Sequence, residues 1–131
     1  MERTIRLLRE KNHYLENFFE MNERELVNFE AGRFENVEPF YRSRGKILDI
    51  IRSIDEKVSI ENGITADREA TLEDRAAIEG AFNAKESWVA AILAQDLRII
   101  SRIDTEKSNI IRELQSTQKT RKAIGAYSSN F

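Results

Sequence analysis

The sequence predicts an all-α fold: an elongated antiparallel three-helix bundle with long, coiled-coil-like helices. Apolar residues recur at spacings of three and four over three long stretches, the period of a single helix face. Two breaks carrying glycine and capping residues, at Ala31-Gly32-Arg33 and between Glu61 and Thr71, separate those stretches. No run alternates polar and apolar residues between turn signals in the way a strand does. Of the 131 residues, 40% are hydrophobic and 34% charged, a balance that suits long solvated helices better than a deep globular core. One helical domain over residues 1–131 is expected, because two separate cores would each sit near the lower limit of self-sufficiency.

The first helix is expected over about residues 2–29. Ile5, Leu8, Leu15, Phe19, Leu26 and Phe29 form its apolar stripe, with Asn12 and Asn22 filling the two vacant places. Leu7, Tyr14, Phe18 and Met21 widen the stripe on one side, so this helix is expected to meet two neighbours. Gly32 follows as a C-terminal cap, since glycine takes the left-handed conformation without a Cβ clash.

The second helix is expected over about residues 34–61. Val37, Phe40, Arg44, Ile47, Ile51, Ile54 and Val58 keep heptad spacing, with Arg44 the one polar member. Pro39 falls near the start, where its missing N–H costs little. Gly45 lies in the interior, at a cost of about 1 kcal/mol against alanine. Glu61-Asn62-Gly63 is expected to close the helix.

The third helix, the longest, is expected over about residues 71–122. Thr71-Leu72-Glu73-Asp74 reads as an N-cap with an acidic first turn. Ile78, Phe82, Val89, Ile92, Ile99, Ile103 and Ile110 keep the heptad, with Lys85, Asp96 and Glu106 in its gaps. Leu93, Ile100, Ile111 and Leu114 line the adjoining side. Gly125 is expected to end the helix and leave a short C-terminal tail. Helices of about 28, 28 and 50 residues measure about 42, 42 and 75 Å. The shorter two cannot cover the third, and a partner is expected on the uncovered remainder.

Composition excludes several classes of function. The absence of cysteine removes disulfide scaffolds and cysteine-based zinc or redox sites. The longest apolar run, Trp88 to Ala94, is far short of the about 20 residues a spanning helix needs. Charges run through the first ten residues, where a signal peptide would be apolar. A cytoplasmic location without membrane insertion is therefore expected. A net charge of −2 argues against nucleic acid as a partner. Acids dominate residues 16–38 and 55–79, whereas Lys119, Arg121 and Lys122 form a small basic end that helix-dipole and solvation effects explain.

No constellation of catalytic residues emerges, and a non-enzyme without cofactor or metal is expected. His13 completes a Glu10-Lys11-Asn12-His13 half-motif of carboxylate di-iron bundles, but those sites need a second histidine on another helix, and the chain has one. Gly45-Lys46 lacks the upstream glycine of a phosphate-binding loop. Tyr14, Phe18, Phe19, Phe29, Phe34, Phe40 and Tyr41 gather around the first helix turn. They read as core packing there or as a peptide-binding patch. Trp88 reads as core.

Two segments carry a family resemblance. Glu30-Ala31-Gly32-Arg33-Phe34-Glu35-Asn36-Val37, followed by Tyr41-Arg42-Ser43-Arg44-Gly45-Lys46-Ile47-Leu48, resembles the flagellar type III export chaperones. Chain length, the three-helix plan and the ending Arg121-Lys122-Ala123-Ile124-Gly125-Ala126-Tyr127 are similar as well, and the nearest branch is the FlgN type that escorts hook–filament junction proteins. The resemblance implies a cytoplasmic chaperone for the C-terminal helical segment of a hook-associated or filament-cap protein. It would prevent premature assembly and deliver its client to the export apparatus. The client contacts expected on the third helix are Ile99, Ile103, Ile110, Ile111 and Leu114. The resemblance implies docking on the export gate through a tail tyrosine, and Tyr127 is the matching position; Ser128 to Phe131 lie outside the match. The alternative from the residues alone is a coiled-coil homodimer through the heptads of the second and third helices, with Arg44, Lys85 and Asp96 setting register.

Overall fold

The computed structural model describes residues 1–65 and 70–129, with side chains described as far as residue 122. The described residues form three helices: α1 over Glu2–Glu30, α2 over Val37–Thr65 and α3 over Leu72–Ser129. The first two contain 29 residues each and the third 58. Their lengths are therefore about 44, 44 and 87 Å. The chain runs up α1, down α2 and up α3, as an antiparallel three-helix bundle.

α1 is the central member. Its backbone approaches both other helices closely, whereas no Cα of α2 comes within 8 Å of one in α3. The widened apolar stripe of α1 explains the arrangement: Leu15 and Phe18 on α1 meet Ile51 from α2 and Ile92 from α3 in one core cluster. A second cluster joins Leu26, Phe29, Phe40 and Ile99 around the α1–α2 turn. Met21 packs against both. Each buried side chain of this size contributes about 1.5–3 kcal/mol by leaving water.

The turn after α1 is a Schellman motif. Gly32 sits at φ 77°, the Gly32 N–H bonds to the Phe29 carbonyl at 3.0 Å, and the Arg33 N–H bonds to the Asn28 carbonyl at 2.8 Å. Arg33 also hydrogen-bonds the Asn28 side chain. Phe34 then stacks on Phe29, with ring centroids 4.9 Å apart. The expected start of α2 at Phe34 is corrected to Val37, because Phe34 to Asn36 are spent on this turn. The first α2 bond runs from the Phe40 N–H to the Asn36 carbonyl, so Pro39 lies in the first turn as expected.

At its other end α2 passes the expected stop. Gly63 is helical and the helix continues to Thr65, whose hydroxyl is buried and donates to the Glu61 carbonyl at 2.8 Å. An interior glycine costs only about 1 kcal/mol, which tertiary packing readily offsets. α3 begins as expected, with the Thr71 Oγ1 accepting the Asp74 N–H at 3.0 Å. It does not end at Gly125: the helical backbone runs on to Ser129, and the short non-helical tail is not observed there.

Polar contacts tie the helices together along the seams. Asn12 donates to the Ala81 carbonyl at 3.0 Å, and Lys11 pairs with Asp55 at 2.7 Å. Arg98 on α3 bridges Glu23 and Glu30 of α1 at 3.3 and 2.9 Å. The hydrogen bond to Glu30, reinforced by the charges of both carboxylates, holds the Arg98 guanidinium above its ordinary pKa.

Candidate functional site

α3 outruns its cover. The α1–α2 turn reaches α3 at Arg102, Thr105, Glu106 and Asn109, which share a shallow cleft with Phe29, Gly32 and Phe34. From Lys107 to Lys122 every side chain is exposed. Ile110, Ile111 and Leu114 lie on this stretch, with Ile111 55% and Leu114 59% exposed. A further exposed apolar row, Leu93, Leu97 and Ile100, runs up the bundled half of α3 and points away from the core. Large apolar side chains left in water along one helix mark a surface that takes a partner.

The expected client residues divide into two groups. Ile110, Ile111 and Leu114 are on the uncovered face. Ile99 is corrected: it is 1% exposed, packed against Leu26, Phe29 and Phe40, and belongs to the core. α1 extends as far as Phe29 and covers it, a reach that heptad spacing cannot report. Ile103 is half-buried against the same cluster and sits at the boundary. Tyr127 lies on helical backbone, but its side chain is outside the described residues.

The core-facing row of α3 also differs from the one expected. Ala81, Ile92, Gln95 and Ile99 are buried, while Phe82 is about half exposed and Asp96 lies at the edge. Gln95 was overlooked because an amide reads as surface. Its environment is built for it: Nε2 donates to the Phe19 carbonyl and to Glu23 Oε1, both at 2.9 Å, while Oε1 accepts from Asn22 at 3.0 Å.

Arg44 links α2 to α3 through an ion pair. It meets Asp96 at 2.8 Å, with its guanidinium carbon 4.9 Å from the Phe18 ring centre and 5.3 Å from that of Phe40. Arg44 and Asp96, expected to set register between copies, are thus paired inside one chain. Lys85 pairs with Glu86 and lies over Phe82. Most of the aromatic group around the first turn packs as core: Phe18, Phe29 and Phe40 are buried and Trp88 lies 5.6 Å from Phe19, whereas Tyr41 is about half exposed.

A cleft of about 550 Å³ between the starts of α1 and α3 is lined by Glu2, Arg6, Arg9, Glu73 and Asp74 together with Ile5 and Ala77. These are solvated charges of both signs. His13 is exposed, 3.4 Å from the Asn17 amide. Among the described residues no group of His, Asp and Glu side chains could hold a metal ion, and no helix is long and apolar enough to cross a membrane. Comparison with protein families, with curated proteins and with solved structures finds no match. The uncovered face of α3 is the candidate site.

Proposed function

We propose that the protein is a non-catalytic helix-binding chaperone that holds an amphipathic segment of an exported flagellar protein along α3. The observation that carries this reading is the row Ile110, Ile111 and Leu114, exposed on a helix twice as long as its neighbours. A client helix laid along that row buries apolar faces on both sides and gains the free energy of burial without any change in the bundle. The resemblance around Glu30–Val37 and Tyr41–Leu48 supplies the client class, the C-terminal segment of a hook-associated or filament-cap protein. It also supplies the cytoplasmic setting and an export-gate contact through Tyr127.

Pull-down of the tagged protein from its native lysate, with mass spectrometry of what is bound, tests the reading. The expected result is a hook-associated or filament-cap protein, lost when that protein's C-terminal segment is deleted and lost with the Ile111→Glu, Leu114→Glu double variant. Recovery of the chain alone overturns it.

A further inference from the structure

The exposed apolar row of α3 has a symmetry of its own. Leu97, Ile100, Asp104, Lys107, Ile111 and Leu114 follow one another at spacings of three, four, three, four and three, a heptad seam rotated away from the row that faces α1. Every one of these side chains is exposed, Leu97 the most of the four apolar ones at 72%. About the point midway between Thr105 and Glu106 the seam is self-complementary. Leu97 stands as far to one side as Leu114 to the other, Ile100 as far as Ile111, and Asp104 as far as Lys107.

We infer that the partner for this face is a second copy of the chain, docked antiparallel across a two-fold axis at that midpoint. A two-fold contact requires that if residue i meets j of the other copy, j also meets i. Here the rule puts leucine on leucine and isoleucine on isoleucine in successive layers. At the centre it sets Asp104 of each copy against Lys107 of the other, two reciprocal ion pairs. A parallel pairing in register would stack Asp104 on Asp104 and Lys107 on Lys107, so charge selects the antiparallel arrangement.

The flanks agree. Ile103 and Ile110 border the seam on one side and Ser101 and Ser108 on the other, so no like charges face each other there. The protruding end of α3 in each copy lies against the bundled half of the other copy's α3, where Leu93, Leu97 and Ile100 are bare. Each copy thus receives a fourth helix. The inference holds with or without a client. Where a client also binds, it competes with the second copy for Ile111 and Leu114.

Charge exchange tests the dimer. Light scattering over a dilution series is expected to give twice the 15.2 kDa chain mass for the wild type. Asp104→Lys or Lys107→Asp alone is expected to give monomer with the α1–α2–α3 bundle still folded, because both side chains point into solvent in the single chain. Mixing the two singly substituted proteins restores the dimer as a heterodimer, and the D104K/K107D protein restores it alone. In the cysteine-free chain, oxidation cross-links an L97C/L114C protein between copies but forms no cross-link in L97C, where each thiol faces Leu114 of the other copy. A wild type that stays monomeric throughout overturns the inference. So does a dimer that survives both single exchanges, or one that L97C alone cross-links. None of these readouts involves a client, so they are independent of the chaperone reading.

Discussion

Asn22 donates its side-chain N–H to Gln95 Oε1 at 3.0 Å, joining α1 to α3 in the middle of the apolar seam. Asn22 is completely buried and Gln95 nearly so. The pair fixes how the two helices slide against each other, because a shift of one turn would leave both amides among Leu15, Leu26 and Ile92 without partners.

Removing one amide should cost more than removing both. Asn22→Leu strands Gln95 Oε1 and is expected to lower unfolding stability by about 1–3 kcal/mol. Asn22→Leu with Gln95→Leu is expected to recover most of that loss. Urea unfolding followed by circular dichroism gives both numbers. A double variant no more stable than Asn22→Leu alone would contradict this account.

Arg44 acts through packing as well as charge. Arg44→Lys keeps the charge opposite Asp96 but loses the planar face over Phe18 and Phe40, and is expected to cost roughly 1 kcal/mol. Arg44→Ala should cost more than Asp96→Ala, because Arg44 touches three rings besides its ion partner. A double-mutant cycle over the two positions separates the ion pair from the stacking.

Two glycines should respond to alanine with opposite signs. Added Cβ atoms at Gly32 and Gly45 both meet open space, so the backbone decides. Gly32 has φ 77°, and Gly32→Ala is expected to destabilise by about 1–2 kcal/mol. Gly45 is inside α2, and Gly45→Ala is expected to stabilise by about 1 kcal/mol. Melting temperatures of the two variants, one falling and one rising, check the pair.

Protection along α3 should be uneven in a single chain. In the Lys107→Asp variant, amides from residues 110 to 122 are expected to exchange with solvent much faster than those from 88 to 103, because an isolated stretch of that length is a marginal helix. Hydrogen exchange read by mass spectrometry resolves the two segments. Equal protection in both would mean that the protruding half is stabilised by something other than a neighbour.

Most of the fold was legible because its signals are local. The stop at Gly32, the cap at Thr71, the heptad of α2 with Arg44 in it and the double-width stripe of α1 all depend on residues a few places apart. The helix ends that were misplaced, at Phe34, Gly63 and Gly125, are ones where packing or simple continuation outweighed a local preference. The candidate site was legible in part: a long third helix left bare at Ile110, Ile111 and Leu114 follows from lengths alone.

What the sequence determined by itself was therefore the number of helices, their class and the excess length of the third, since periodicity and caps are written along the chain. What only the tertiary structure decided was which row of α3 turns inward. The row through Lys85, Ile92 and Ile99 is shared by two heptads, one continuing through Val89 and Asp96 and the other through Trp88 and Gln95. α1 chose the second, because the Phe19 carbonyl, Asn22 and Glu23 offer Gln95 the hydrogen bonds that make burying an amide affordable. That choice drew Gln95 into the core, left Asp96 at its edge and kept Leu97 and Ile100 outside.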